Sequence, residues 1–559
     1  MLIGIDVGGT YTDGVLFDEG EIVAAIKKPT DEGNLQNSLL EVLDELLKSA
    51  DKEITRIVLS TTLITNLLAT GRGERTALIL IPGHGLPPQS YDICPDIYFL
   101  QGSVDFRGNI IEAADENEIL DVIGQIKATG IKRVAIAGKF SNRNNSLEQQ
   151  VQELVAQKYP ECLLVTSSEI SSKLNFPRRA VTTYYTAMTV KEWQQFAGEI
   201  DKAIKARKLD CEVHILKADG GTIPLEISRS RPCETVFSGP AASTMGGLAI
   251  TRDQLNSVVL DVGGTTSDIS LLIGGQPLYA SKGANIEGKY TQINAFAVKS
   301  VALGGDSFIE LQGNAPVPAS YRKGAAACFG GEAATVTDAF NYSLNLGIGE
   351  VSRSQNLLEE LATQAGITID ELCSQVIDAV LGQLQENIEA MFKEWENEPA
   401  YKVWEVVNKK KFMLQRIIGI GAAAPPIVPL LAERMGVEYY LHNYSGVANA
   451  LGASVVRPTL AVDLHVDTPN DFFTVDPGGY KGSLNRQRDF QLEDAKNLAR
   501  QYLNEIGKQR GMSSYLDDSS FYMEEQFNII RGWDRVGKLF DVGIQISPGF
   551  IGEFKGVAK

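Results

Sequence analysis

An octet of residues occurs twice in this chain, as DVGGTYTD at residues 6–13 and as DVGGTTSD at residues 261–268. In both places an apolar run precedes the octet, and alternating residues with a turn signal follow it, Asp-Glu-Gly at 18–20 and Gly-Gly at 274–275. This context predicts that each octet forms the turn between two strands of a β-hairpin. The copies are too far apart for a solenoid, whose repeats span about 20 to 50 residues. The repeat therefore predicts a duplicated lobe.

Apolar strand-like runs alternate with helical patterns through the first part of the chain. The runs RIVLS at 56–60 and TALILI at 76–81 are typical of buried strands. Residues 35–50 and 117–130 have apolar positions at helical spacing, and a long helical pattern at 180–208 is placed to connect two lobes. This alternation indicates an α/β fold with a largely parallel sheet.

The same patterns predict three parts of the chain. An N-terminal lobe covers residues 1–178, a second lobe with the second octet covers 179–457, and a C-terminal module covers 458–559. The last boundary follows Arg457-Pro458, beyond which the chain becomes polar and then gives one helical pattern and aromatic strand-like runs. Those runs predict a small α+β module.

The glycines of the two octets suit a phosphate-binding turn. Paired glycines let backbone N–H groups approach an anion, and glycine tolerates the positive φ that such a cradle uses. The hydroxyl groups of Thr10 and Thr265 can add donors. Asp6 and Asp261 would repel a bare phosphate, so we expect a divalent metal between carboxylate and phosphate, held largely through water as Mg²⁺ prefers. Two such turns facing each other would clamp a polyphosphate. The dinucleotide and P-loop fingerprints are absent from both octets.

Two further glycine-rich segments are predicted to complete the pocket. The segment SVALGGDSFIEL places Gly304 and Gly305 at a predicted helix start with a capping side chain next in the sequence. The segment at 415–436 reads as an apolar strand, then Gly419 and Gly421 among alanines, then a helix. A backbone without side chains at that strand end can receive a flat adenine and a ribose.

With these segments, the chain resembles the actin, sugar-kinase and heat-shock ATPase superfamily, and it is most similar within it to the hydantoinase/oxoprolinase family. The phrases IGIDVGGTYTD at the N-terminus, SGPA at 238–241 and TVTDA at 335–339 carry this similarity, which extends from residue 1 to about 457. The resemblance implies a two-lobed actin-like ATPase fold built from duplicated ribonuclease H-like domains. It also implies ATP-driven opening of a cyclic amide, whose carbonyl oxygen is phosphorylated before hydrolysis.

The resemblance also implies roles for the motif residues. Asp6 and Asp261 fall in the two phosphate turns by motif matching; their charge makes them the candidate catalytic residues and the candidate Mg²⁺ ligands, mainly through water. Thr61, Thr62 and Asn66 match the family's TTxxTN stretch and are assigned to the substrate. The set assigned to ATP binding is Gly8, Gly9, Thr10, Thr12, Asp13, Gly263, Gly264, Thr265, Thr266, Asp268, Gly304, Gly305, Gly419 and Gly421.

The substrate half of the family pattern is altered in this chain. Lys299, Ile427 and Tyr444 align with positions where the family often carries histidine, and the phrase DPGPACYG has become KGAAACFG at 323–330. The first hypothesis is an ATP-dependent hydrolase of the hydantoinase/5-oxoprolinase type. The alternatives are a small-molecule kinase of the same fold and a nucleotide-gated binding subunit of a larger complex.

Composition restricts the partners and the compartment. The 559 residues carry a formal charge of −18, which argues against nucleic acid or an anionic membrane surface as the main partner. The N-terminus lacks the pattern of a signal peptide, no apolar run is long enough to span a bilayer, and the six scattered cysteines are typical of reduced thiols. The sequence thus predicts a cytoplasmic protein with a small-molecule substrate. Homo-oligomer and companion subunit both stay open.

Overall fold

The computed structural model describes residues 1–31, 33–171, 173–397, 411–485, 489–531, 534–552 and 554–555. Within these ranges every helix is too short or too polar to cross a bilayer. Short 3₁₀ turns lie at Pro88–Ser90, Pro232–Thr235, Ala327–Phe329, Ser445–Val447 and Ser513–Asp518.

The chain starts with a three-stranded antiparallel unit that contains the first octet. Its elements are β1 (Leu2–Val7), β2 (Tyr11–Asp18), β3 (Glu21–Pro29), α1 (Leu35–Lys48), β4 (Arg56–Thr61) and α2 (Leu63–Ala69). The octet forms the β1–β2 turn, which confirms the predicted hairpin. Glu19 and Gly20 both have positive φ in the tight turn that leads to β3, as primed hairpin turns require. Helix α1 buries its leucine stripe against this sheet.

A parallel sheet and a long helix follow. The elements are β5 (Ala77–Ile81), β6 (Ile97–Phe99), β7 (Ser103–Val104), β8 (Ile110–Glu112), α3 (Glu116–Thr129), β9 (Arg133–Gly138), α4 (Ser146–Lys158), β10 (Leu163–Thr166), α5 (Ser167–Ile170) and α6 (Phe176–Ala206). Strands β10, β9, β5 and β6 pair in that order, all parallel. Helix α6 shares one core with this sheet and with the first sheet, so apolar residues occupy several of its faces.

Two later strands complete the first sheet. The elements are β11 (Glu212–Leu216), β12 (Thr222–Pro224), α7 (Leu225–Ser228) and α8 (Ser238–Thr251). The sheet order is β12-β11-β4-β1-β2-β3, and β1, β4 and β11 are parallel. The boundary predicted at residue 178 falls within α6, and β11 and β12 come from beyond it. The three-part division stays a prediction.

The second lobe repeats the sheet of the first. Its elements are β13 (Ser257–Val262), β14 (Ser267–Ile273), β15 (Gln276–Pro277), β16 (Asn285–Ile286), β17 (Lys289–Tyr290), β18 (Val298–Val301), β19 (Ser307–Gln312), β20 (Ala315–Arg322), α9 (Val336–Ser343), α10 (Val351–Ala365), α11 (Ile369–Glu396), β21 (Arg416–Ile420), α12 (Ala424–Met435), β22 (Glu438–Leu441) and α13 (Ala448–Val455). The order β15-β14-β13-β21-β22 again places antiparallel strands on one side and parallel strands on the other. The predicted two-lobed fold with duplicated ribonuclease H-like sheets is confirmed.

The C-terminal module is a helix on an antiparallel sheet. Its elements are β23 (Leu460–Asp467), β24 (Phe472–Asp476), β25 (Tyr480–Gly482), α14 (Leu492–Gln509), β26 (Ser519–Arg531) and β27 (Asp534–Ile546). The sheet order is β25-β24-β23-β27-β26, and α14 packs on it through one apolar core. This confirms the predicted α+β module.

Helices α8 and α13 lie between the two lobes and share a core with both sheets. Their backbones approach so closely that only glycine fits at the contact. A Cβ on Gly246 of α8 would lie 2.2 Å from the carbonyl oxygen of Ala448, and one on Gly452 of α13 would lie 2.5 Å from the backbone nitrogen of Gly246. On the other side, a Cβ on Gly4 of β1 would lie 2.0 Å from the carbonyl oxygen of Ala450. Helix α13 is therefore held closely against α8 on one side and against the first sheet on the other.

Candidate functional site

The two octets form turns with the same hydrogen bond. The backbone N–H of Gly8 donates to the carbonyl of Tyr11 at 3.0 Å, and that of Gly263 donates to the carbonyl of Thr266 at 3.0 Å. The expectation that these glycines adopt positive φ is wrong, because none of the four octet glycines does so. A Cβ added to Gly9 would meet no protein atom within 4 Å, so the backbone there borders open space, whereas a Cβ on Gly264 would lie 2.6 Å from Oδ2 of Asp306.

Both turns line one cavity of about 170 Å³ between the lobes. Thirteen of the residues predicted for the site lie on its wall, and they come from both octets, the position just before α2 and the position just after β21. They are Asp6, Gly8, Gly9, Thr10, Asp13, Thr62, Asp261, Gly263, Gly264, Thr265, Thr266, Asp268 and Gly421.

Three predicted residues near the first turn lie outside that wall. Thr12 is buried, with its hydroxyl oxygen 2.9 Å from that of Thr30. Thr61 is buried, and its carbonyl accepts a hydrogen bond from the Ser238 hydroxyl at 3.0 Å. Asn66 reaches the cavity only indirectly, since its amide donates to the hydroxyl of Thr62 at 3.3 Å.

The glycine pair at 304–305 does not start a helix, and that expectation is wrong. Strand β19 follows it instead, because the backbone N–H of Gly305 donates to the carbonyl of Gly263 at 2.9 Å and that of Asp306 donates to the carbonyl of Gly264 at 2.6 Å. These hydrogen bonds hold residues 304–306 directly against the second octet. A Cβ on Gly304 would lie 2.5 Å from the carbonyl carbon of Gly264, so Gly304 supports the turn.

Gly419 and Gly421 differ in their surroundings. Gly419 lies within β21, where a Cβ would meet the side chains of Leu441 and Val428 at 2.6 and 2.8 Å. Its small size therefore serves packing. Gly421 has φ +86° beside the carboxylate of Asp261, and helix α12 begins three residues later, as the sequence predicts.

The strand register concentrates four carboxylates in the cavity. Asp6 pairs with Asp13 directly across the first hairpin, and Asp261 pairs with Asp268 across the second. Burial raises the pKa of Asp6, and it raises the pKa of both Asp13 and Asp268 to about 7. The like charges of neighbouring aspartates add to each of these shifts. The site can therefore hold protons near neutral pH.

Asn449, at the start of α13, ties the two octets together. Its side-chain amide donates to Oδ2 of Asp6 at 3.2 Å and to Oδ2 of Asp261 at 3.0 Å. The hydroxyl of Ser243 on α8 also donates to Oδ2 of Asp261, at 2.5 Å. The sequence analysis missed both residues, and the only signal for Asn449 is its place in the small-residue stretch SGVANALG.

Lys27 is a third candidate site residue that the sequence analysis missed. It lies opposite Asp13 in the β2–β3 register, and its ammonium donates to the two carboxylate oxygens of Asp13 at 2.7 and 2.9 Å. It also donates to the carbonyl of Gly446 in the second lobe at 3.0 Å. The hairpin register was the available signal, because it places a lysine beside an octet aspartate.

An apolar cavity of about 230 Å³ adjoins the carboxylate cavity. Its wall includes Phe340, Ile348 and Ile427, and it shares Tyr11, Lys27, Gly263, Gly264 and Ala422 with the first cavity. Gly305 lies on this wall as well. Together the two cavities offer a polar compartment next to an apolar one, which suits a ligand with a charged end and a flat apolar end.

Arg322 brings another cation to the first turn from the second lobe. It ends β20, and its guanidinium donates to the hydroxyl of Thr10 at 3.4 Å and lies 4.0 Å from the carboxylate of Asp306. Both lobes thus supply positive charge beside the octets.

Two family models match this chain. The hydantoinase/oxoprolinase model matches residues 179–461, and the hydantoinase/oxoprolinase N-terminal region matches residues 2–159. Among curated proteins, the caprolactamase subunit alpha of Pseudomonas jessenii is 24% identical over 417 residues, which cover 67% of this chain and 58% of that protein. The 5-oxoprolinase of Saccharomyces cerevisiae is 23% identical over 541 residues, which cover 80% of this chain and 40% of that protein. This chain thus spans about half the length of these relatives.

Two solved structures share the fold over nearly the whole chain. A nucleotide-free acetone carboxylase, from work on ATP-dependent acetone carboxylation, superposes with a TM-score of 0.72 at 16% identity and covers 99% of this chain and 88% of its own. The ATP-dependent caprolactamase from Pseudomonas jessenii superposes with a TM-score of 0.70 at 18% identity. The match covers 97% of this chain and 87% of the caprolactamase chain.

Proposed function

Because the chain belongs to the hydantoinase/oxoprolinase family, we propose that it binds ATP in the cleft between its lobes and uses it to activate the carbonyl group of a small cyclic amide. The observation that supports this most is the pair of carboxylate–glycine turns on one cavity that adjoins an apolar pocket. The polyphosphate would lie on the turns and the adenosine in the pocket. Relatives named as a caprolactamase subunit and a 5-oxoprolinase support a lactam as the substrate class.

Magnesium fits the residues of this cleft. Among the described residues, no group of three or more histidine, cysteine or acidic side chains is arranged as a direct metal site. Oδ1 of Asp6 is nevertheless buried there without a hydrogen-bond partner among the described residues, and three more carboxylates share its cavity. We propose that Asp6 and Asp261 hold Mg²⁺ mainly through water. The ion would neutralise charge on the phosphates.

The proposed chemical step balances without a further reactant. The amide oxygen of the ring forms a bond to the terminal phosphorus of ATP, the bond from that phosphorus to ADP breaks, and the ring nitrogen loses its proton. A carboxylate with a pKa of about 7, Asp13 or Asp268, is suited to take up that proton. Thr62, on the cavity wall, would position the ring, and Asn66 would act through its hydrogen bond to the hydroxyl of Thr62. Activation is needed because an unstrained lactam is a poor electrophile.

The test is lactam-stimulated ATP hydrolysis by the purified chain with Mg²⁺. Caprolactam, 5-oxoproline and hydantoin are added singly, and ADP and the organic product are both measured. We expect at least one of them to raise ADP formation well above the rate without it. Constant turnover with all three, in a protein that binds ATP, would contradict the lactam proposal.

The same assay separates the alternatives. A phosphorylated product that still accumulates in the phosphorus NMR spectrum when a companion chain is present supports the kinase alternative, whereas a ring-opened product supports the hydrolase. The caprolactamase relative is named as a subunit, so we propose that a companion chain completes ring opening. In that case, the chain alone forms ADP and a phosphorylated lactam, and ring-opened product appears when the companion is added.

Lys27→Met is expected to weaken ATP binding about ten- to a hundredfold. The ammonium of Lys27 lines both cavities, and hydrogen bonds to charged groups contribute roughly 1.5–3 kcal/mol. Calorimetric titration with ATP and Mg²⁺ measures the change. Lys28→Met is the matched control, because Lys28 is the next residue of β3 and lines neither cavity. Equal losses in the two variants would rule out a specific role for Lys27.

A further inference from the structure

The side-chain amide of Asn449 is shared between carboxylates of the two lobes. It donates to Oδ2 of Asp6 on β1 at 3.2 Å and to Oδ2 of Asp261 on β13 at 3.0 Å. A primary amide has two N–H groups, so the donors of Asn449 are divided between one carboxylate of each lobe.

The two carboxylates that share this amide repel each other. Burial raises the pKa of Asp6 and the charge of Asp261 adds to that shift, whereas hydrogen bonds from Ser60 and Asn449 oppose it. Two negative groups in one buried cavity move apart or take up a proton unless donors hold them. Asn449 thus lies where the repulsion between the lobes is greatest need of a donor that bridges them.

The side chains that hold this pair are neutral. Asp261 accepts at Oδ2 from the hydroxyl of Ser243 at 2.5 Å, in addition to the amide of Asn449. The ammonium of Lys27 acts on the first carboxylate through space, but it donates to both carboxylate oxygens of Asp13. The neutral donors therefore fix the pair in place without removing its negative charge, which stays available to a cation.

The backbone on either side of Asn449 is held by the glycine contacts of α13. The carbonyl oxygen of Ala448 would lie 2.2 Å from a Cβ on Gly246 of α8, and that of Ala450 would lie 2.0 Å from a Cβ on Gly4 of β1. The backbone nitrogen of Asn449 would lie 3.2 Å from the first of these Cβ positions. The residues before and after Asn449 are thus packed against different elements, and its side chain extends from a backbone with little room to move.

We propose that Asn449 is a positioning residue of the metal site. By fixing one oxygen of Asp6 and one of Asp261, it makes two carboxylates from different lobes act as a single site for Mg²⁺ and its bound water. The glycine contacts of α13 hold the amide where it can do so. Without the amide, the ion would have to bring the carboxylates together against their repulsion, so it would bind more weakly. This inference rests on the proposed binding of Mg²⁺ and ATP.

The test is Asn449→Leu, which keeps a side chain of similar size and removes both N–H groups. ATP is titrated into the full chain by calorimetry at a series of Mg²⁺ concentrations and without Mg²⁺. We expect the Mg²⁺ concentration that gives half of the effect on ATP affinity to rise about ten- to a hundredfold, as when a group that orients metal ligands is lost. ATP affinity without Mg²⁺ should stay close to that of the wild type. Mn²⁺ with ADP, followed by electron paramagnetic resonance, should show the same loss of metal affinity.

Further variants separate positioning from stability. Ser454→Ala changes a buried residue of the same helix, whose hydroxyl donates to the carbonyl of Leu451 at 2.8 Å. It should keep the wild-type Mg²⁺ requirement. Asn449→Ala carries the same expectation as Asn449→Leu if the leucine variant does not fold. Excess Mg²⁺ should restore ATP turnover in the Asn449 variant, because the added metal compensates for weaker binding and would not repair a damaged fold.

Two results would overturn this inference while the proposed function stands. One is a wild-type Mg²⁺ requirement in a folded Asn449 variant, and the other is an equal loss of ATP affinity with and without Mg²⁺. A wild-type chain whose ATP binding does not respond to Mg²⁺ would refute the metal proposal, and a wild-type chain that does not bind ATP would refute the proposed function. In either of these cases the role of Asn449 would be refuted as well.

Discussion

Asp6→Asn should lower ATP turnover by at least about 10²–10³-fold, the loss typical of removing one electrostatic group from a preorganised site. Asparagine keeps the size of the side chain and removes its charge. Oδ1 of Asp6 is buried without a hydrogen-bond partner among the described residues, whereas Oδ2 accepts a hydrogen bond from Asn449. One oxygen therefore holds the carboxylate in place, and the other is left to interact with a ligand. We therefore expect the Mg²⁺ dependence of ATP binding to disappear with the charge.

The measurement is ATP hydrolysis together with calorimetric titration of ATP in the presence and absence of Mg²⁺. Asp261→Asn should behave like Asp6→Asn, because the second octet repeats the register of the first. Asp18→Asn, at the outer end of β2, is the control and should retain turnover, since its carboxylate pairs with Lys52 at the surface. An Asp6→Asn protein with the wild-type response to Mg²⁺ would refute the metal assignment.

Gly246→Ala should lower the free energy of unfolding by about 1–3 kcal/mol or more, because a new methyl group in a packed contact forces backbone shifts. The clash is with the carbonyl oxygen of Ala448, 2.2 Å from the added Cβ, and a backbone atom cannot turn aside as a side chain can. Gly452→Ala should act in the same way from the other helix. The loss is measured by urea unfolding with two spectroscopic probes.

Gly124→Ala provides the control for helix propensity. Gly124 lies in α3, is exposed, and has no atom within 4 Å of an added Cβ. Alanine should therefore stabilise the protein there by up to about 1 kcal/mol. If Gly246→Ala stabilised the protein, as Gly124→Ala is expected to do, the glycine contact between α8 and α13 would not matter for folding.

The octets and their hairpins could be predicted because their signals are local. Glycines, turn residues and alternating apolar residues all lie within a few positions of each other. Asn449 could not be found this way, since it meets Asp6 across 443 positions of the chain. The helix start expected at Gly304 and Gly305 failed for a related reason. Their backbone is bonded to the second octet, and local sequence does not reveal that tertiary contact.

The predicted site residues also differ in whether a local sequence signal or a tertiary contact decides their role. Thirteen predicted residues share one cavity because most of them belong to the two octets, where residues adjacent in sequence form one turn. Gly419 was assigned to the ligand because small residues at a strand end are ambiguous in sequence, and only the packing of Leu441 and Val428 shows what its small size allows. Whether each residue on the wall touches ATP stays a prediction.

The order of strands in the first sheet has a consequence for how the protein forms during synthesis. Strand β4 lies between β1 and β11, and β11 and β12 come from residues 212–224. Until that stretch has left the ribosome, β4 presents a bare edge, which is the kind of edge that recruits wrong partners. More than a hundred residues after β4 must therefore be synthesised before the first sheet can be completed. We expect the nascent chain on stalled ribosomes to stay sensitive to protease until β12 has emerged.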